Sequence, residues 1–172
     1  QAVWRFLNNE RVTFKQLNDP LLSLARQEIA HSPHAYALVV HDWSRLAFYS
    51  HHSKAHRLKM THSTVVGYEL RSSLLVDAAS GLTIAPLAQT LSDNTGCHST
   101  LADDLLPRET HPDALTADIL KLEKLGIEKT LVHIIDREGD SIEHMRTLSA
   151  QDLHWLIRDK EGHRVEHQGT TK

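Results

Sequence analysis

At 172 residues, with 40% hydrophobic and 24% charged side chains, the chain has the size and balance of one globular domain with a sizeable core. A single cysteine, Cys97, excludes an intramolecular disulfide and a thiolate metal cluster, and no apolar run approaches the roughly 20 residues that span a bilayer. With no signal-peptide pattern at the N-terminus, a soluble, cytoplasmic protein is expected; the net charge of −3 speaks against nucleic acid, but the charge distribution does not.

Residues 1–35 read as an N-terminal helical segment. In "NDPLLSLARQEIAH", Asp19 is placed as an N-cap, Pro20 at the first helical position, and Leu21, Leu24, Ala25 and Ile29 on an apolar face. A strand is expected over 36–42, "YALVVHD", where Leu38, Val39 and Val40 lead into His41 and Asp42. Between Asp42 and Glu69 there is no acid, while Arg45, Lys54, Arg57 and Lys59 are basic and His51, His52, His56 and His62 can become so. This local positive patch is expected to be a mobile, exposed segment that contacts DNA phosphates; a solvated loop is the bland reading. The spacing of His52 and His56 suits a zinc site on a helix, although more ligands are needed.

Thr64 to Asp77 alternates, with Val66, Tyr68, Leu70, Leu74 and Val76 on one face and Glu69, Arg71, Ser73 and Asp77 on the other. Ser80 and Gly81 turn it into a second strand, "LTIAPLAQTL", as a hairpin. Residues 92–112 have loop composition. A helix from about Asp113 carries Leu115, Ile119 and Leu122 on one face and stops at Gly126. The strand "TLVHII" then ends at Asp136, Asp140 with Glu143 reads as a helix capping box, "LHWLIRD" is a last strand, and the tail from Lys160 is polar and featureless. This order predicts an α/β fold whose mixed sheet has an antiparallel hairpin half and a parallel crossover half, flanked by helices.

Two strands of the same grammar therefore end in aspartate. If they are parallel neighbours, Asp42 and Asp136 lie side by side at the sheet edge where open α/β sheets bind ligands. Like charges so close call for a proton or a cation between them, and carboxylates are the ordinary ligands of hard divalent ions.

The order of elements, and the strings "WRFLNNERVT", "VVHDWS", "IIDREGD" and "WLIRDK", together resemble the insertion-sequence-four family of bacterial cut-and-paste DDE transposases, over nearly the whole chain. The resemblance implies an RNase H-like catalytic domain over 36–160, truncated before its final helices, with 161–172 opening an inserted domain. It implies metal-dependent phosphoryl transfer that cuts transposon ends and joins 3′ hydroxyls to target DNA. Two Mg²⁺ or Mn²⁺ ions would be held by Asp42 and Asp136, with double-stranded DNA as partner, a homodimer in the DNA complex and no membrane. By the same resemblance Arg5, Asn8 and Asn9 fall near transposon-end DNA and Arg137 beside the active site.

The family's third acid, a glutamate in a Y-x-x-R-x-x-x-E-x-x-x-x-x-x-K helix, has no match, because the tyrosines stand only at 36, 49 and 68. Glu138, Glu143, Glu161 and Glu166 sit in no such pattern. The chain is therefore expected to be inactive alone. Two other classes stay open: a non-transposing nuclease of the same fold, and a non-catalytic DNA-binding or regulatory product.

Overall fold

The computed structural model describes residues 1–60, 65–102, 110–160, 166–167 and 170–171. Two helices open the chain, α1 (Ala2–Leu7) and α2 (Phe14–Ala30). α2 begins six residues before Pro20, because Thr13 and Gln16 form a reciprocal capping box: the Thr13 hydroxyl accepts from the Gln16 amide at 3.2 Å and the Gln16 side chain accepts from the Thr13 amide at 3.0 Å. Asp19 and Pro20 thus lie inside the helix. The buried face is Asn18, Leu22, Ala25 and Ile29, so Leu21 and Leu24, expected inside, are outside. Asn18 donates to the Leu87 carbonyl at 2.9 Å, which fixes the rotation of α2 on the sheet.

The main sheet contains β1 (Tyr36–Ala47), β2 (Leu58–Lys59), β3 (Val66–Asp77), β4 (Thr83–Ser92), β5 (Cys97–Ser99), β6 (Thr130–Ile135) and β7 (His154–Ile157). Its order is β5-β4-β3-β1-β6-β7, with β2 on β3. β1, β3, β4 and β5 pair antiparallel; β6 is parallel to both β1 and β7. That is an α/β mixed sheet of the RNase H-like arrangement, with the first strand in the middle. Two crossovers feed its parallel half. α3 (His111–Leu122), capped by Thr110, is followed by a 3-10 turn over Glu123–Leu125 and by Gly126 at φ +70°; α4 (Ile142–Ala150) joins β6 to β7.

α2, α3 and α4 cover the same face. Leu22, Ala25 and Ile29 pack on Ala37, Val39, Leu75 and Leu87, while Leu115, Ile119 and Leu148 pack on Ile135 with Trp43, Trp155 and Ile157. The alternation of β3 is therefore opposite to the expected one: Arg71, Ser73 and Leu75 face the helices, and Leu70, Leu74 and Val76 face away. Arg71 is accommodated inside by Asp118 of α3 at 3.1 Å. On the other face Leu38, Val40, Val132 and Ile134 are half-exposed and Leu156 is 63% exposed.

Three further expectations change. The supposed loop 92–112 contains β5, and residues 103–109 lie outside the described residues. The tail is not featureless, since Glu166–His167 (β8) and Thr170–Thr171 (β9) pair antiparallel; backbone pairing needs no apolar side chain. α4 is capped by Ser141, not Asp140. Asp140 instead accepts the Lys160 amide at 3.1 Å and so fastens the end of β7.

Candidate functional site

β1 and β6 are adjacent and parallel, and their register runs to His41 opposite Ile135. The next step along both strands brings Asp42 level with Asp136, whose backbone stays extended. Residues level in a parallel pair point to the same side, and here that side is the one without helices. Both aspartates are exposed. Each is steadied by a local donor: the Ser44 hydroxyl donates to Asp42 Oδ2 at 2.9 Å, and the Glu138 amide donates to Asp136 Oδ1 at 2.8 Å. Asp136 is thus the cap of the 3-10 turn Arg137–Gly139.

The same row extends in both directions. Ser72 lies opposite Asp42 on β3. On β7, Ile157 pairs with Ile135 and the Arg158 amide donates to the Ile135 carbonyl at 3.0 Å, so Arg158 comes level with Asp136 on the open face. Arg158 is exposed one strand over from the two carboxylates, and a guanidinium is the side chain that suits a phosphate. "WLIRDK" contained this residue, but only the strand register shows which side of β7 it takes.

β1 runs on to Ala47, so Asp42 lies inside that strand and only Asp136 follows a strand end; the donor set still fits a hard divalent cation, because it consists of exposed carboxylate oxygens with one oxygen of each already oriented. Among the described residues no cluster of three or more His, Cys, Asp or Glu forms a metal site, so a third protein ligand is not assembled there. The zinc expectation fails on local structure: residues around His52 and His56 are not helical, and His56 has φ +56°. His62 lies outside the described residues.

The basic segment lies past Asp42, at the same end of the sheet, but it is packed rather than loose. Arg45 pairs with Glu69 at 3.8 Å, Lys54 Nζ sits 4.6 Å from the centre of the Phe48 ring, and Arg57 donates to the Phe48 carbonyl at 2.8 Å. The Tyr68 hydroxyl ties the loop down through the Ala55 carbonyl at 2.6 Å. The segment's partners are the Phe48 ring and carbonyl inside it and Glu69 and Tyr68 of β3, which no count of charges within the segment contains. Lys59, on β2, is exposed.

Arg5, Asn8 and Asn9 are not brought to the aspartates. A cavity lined by Phe6, Asn9, His98 and Ser99 places α1 beside β5, three strand spacings or about 14 Å from β1. Asn8 and Asn9 there bond to the Trp4 carbonyl and the Arg11 amide, and Arg5 is exposed. Arg137, exposed, immediately follows Asp136.

Behind Asp42, on the covered face, a polar chain crosses the core. The Ser73 hydroxyl meets His41 Nδ1, His41 Nε2 meets His133 Nδ1, and His133 Nε2 meets Glu123 Oε1, each at 2.9 Å. Burial pushes both imidazoles below the ordinary histidine value; the neighbouring charges of His133 and His144 add to this at His41, while Glu123 opposes it at His133. The signal for this chain in the sequence is a histidine inside each of the apolar runs "VVHD" and "TLVHII".

The sequence matches no known family profile and no curated protein. Among solved structures, the chain aligns with a piggyBac transposase in a synaptic complex with hairpin DNA, seen by cryo-electron microscopy. The identity is 12% and the TM-score 0.45, over 95% of this chain; the chain spans 30% of the length of that protein.

Proposed function

We propose that this chain is part of a DDE-type transposase, in which Asp42 and Asp136 hold Mg²⁺ or Mn²⁺ for phosphoryl transfer on double-stranded DNA. The observation that carries the reading is the row Asp42–Asp136–Arg158 on adjacent strands at the open face of an RNase H-like sheet. When bound, the metal supplies charge neutralisation and an activated oxygen. The protein's own contribution is orientation: Ser44 and the Glu138 amide fix the two carboxylates, and Arg158 with Arg137 supplies positive charge for a phosphate. Lys59, exposed on β2 and paired with Val66 on the open side of β3, extends that positive surface toward the duplex. The "HDWS" and "DREGD" strings favour the insertion-sequence-four type.

The test is Mn²⁺ calorimetry on the wild type, Asp42→Asn and Asp136→Asn. Weak binding lost in both variants is the expected result, because two carboxylates leave most of the coordination sphere to water. Binding that survives both substitutions would sink the assignment and point to the histidines.

A further inference from the structure

We propose that His133 is a positioning residue: through its bonds to His41 and Glu123 it fixes how far β1 is slid along β6, and so the level at which Asp42 meets Asp136. Its consequence for metal binding rests on the function proposed above; its consequence for strand register does not.

The geometry is diagonal. Val39 is the register partner of His133, and His41 is the partner of Ile135, so the bond between the two imidazoles spans an offset of two residues along neighbouring strands. Backbone pairing in a parallel sheet repeats along the strand and tolerates a slide, but a slide by two residues would separate these rings. His41 is the residue before Asp42, and His133 lies three before Asp136, so whatever fixes the rings fixes the carboxylates.

With Glu123 ionised and both rings neutral, one arrangement of protons satisfies every member of the polar chain. His133 Nε2–H donates to Glu123; His133 Nδ1 then accepts from His41 Nε2–H, and His41 Nδ1 accepts from the Ser73 hydroxyl. His133 is 0% and His41 3% exposed, so water does not substitute for a missing partner. Burying two imidazoles costs more than burying two leucines in the same place. The chain links β3, β1, β6 and the 3-10 turn after α3, which is how polar groups inside a core specify one alignment among several.

Support for metal ligands from outside the coordination shell is worth about 10–100-fold in metal affinity. The test compares metal-free wild type with His133→Leu, which fills the space without polar atoms, and His133→Asn, which keeps an acceptor near the Nδ1 position. In the wild type, long-range ¹⁵N–¹H spectra at neutral pH should show both rings protonated at Nε2. His133→Leu should displace the amide signals of Asp42 and Asp136, speed hydrogen exchange along β1–β6, and weaken Mn²⁺ binding about tenfold. His133→Asn should restore the signals and bring affinity back to within about threefold of the wild type. If His133→Leu does not fold, Glu123→Leu removes the outer anchor of the same chain and takes its place. A folded leucine variant with wild-type amide signals and exchange overturns the inference. A wild type that binds no Mn²⁺ overturns the metal reading instead, and the amide comparison still decides the positioning role.

Discussion

Asp136 combines two roles that different substitutions separate. Its Oδ1 caps the turn that follows β6, and its charge is available to a cation. Asp136→Asn retains an oxygen acceptor, so thermal stability should stay within about 0.5 kcal/mol while Mn²⁺ binding disappears; Asp136→Ala should lose the cap as well, at about 1 kcal/mol. Paired melts and titrations of the two variants check this, and equal stability would show that the cap is unimportant. The buried histidines give a pH dependence of definite sign. His41, His133 and His144 all lie below the ordinary value of 6.5, chiefly through burial. The unfolded chain therefore binds more protons than the fold below that pH, so stability is full above about 6.5 and is lost as pH falls from there toward the folded values. The loss approaches about 1.4 kcal/mol per pH unit for each histidine that stays neutral. Urea midpoints at pH 7.5 and 5.5 should differ clearly; equal midpoints would mean that these rings protonate freely in the fold. A separate acid limb comes from Asp93, held at about 2 by the Thr95 hydroxyl, the amides of Thr95 and Gly96, and His98. Its contribution is present above the ordinary carboxylate value and is lost as pH falls toward 2.

At the scale of elements, the basic segment depends on one close approach. A Cβ on Gly67 would stand 1.9 Å from the Leu46 carbonyl oxygen and 2.9 Å from its carbon, both backbone atoms. Gly67 is paired to Ala47 of β1 on one side and Leu58 of β2 on the other, so neither strand can retreat without losing the loop between them. Gly67→Ala should lower stability by about 3 kcal/mol or more and expose residues 48–57 to proteolysis, measured by urea melts and limited digestion. For DNA binding, the packing alters which cation is the cleanest probe. Lys54 and Arg57 hold the loop through Phe48, so replacing them disturbs structure and charge together. Lys59→Ala removes an exposed charge alone, and should reduce the slope of log affinity against log salt by about one on any duplex. An unchanged slope would make this surface a solvated face.

For the molecule as a whole, the sheet face that carries Asp42 and Asp136 also displays Leu38, Val40, Val132, Ile134 and Leu156, with no helix on it among the described residues. Such a surface should bind a hydrophobic dye in the native state. On the function proposed above, the purified chain with Mn²⁺ and DNA bearing transposon ends should neither nick nor join, since two carboxylates fix two ions poorly. Nicking that vanishes in Asp42→Asn would instead mean that a third ligand is supplied from within this chain. Much of this arrangement was legible in the residues themselves. Apolar runs closed by aspartate marked β1 and β6, Gly126 marked the end of the α3 segment, and the Ser80–Gly81 turn marked the hairpin, because each is a local preference of the backbone or of burial. The start of α2 was missed because a capping box at Thr13 outweighed the proline signal at Pro20. What no local pattern contains is which side of a strand the helices cover. On β3 both faces carry apolar residues, and only packing decided that Ser73 and Arg71 turn inward to meet His41 and Asp118. The same choice put Arg158 in the row of the aspartates and joined two distant histidines. These are consequences of register between segments far apart in sequence, and register is fixed only when all the strands pair at once.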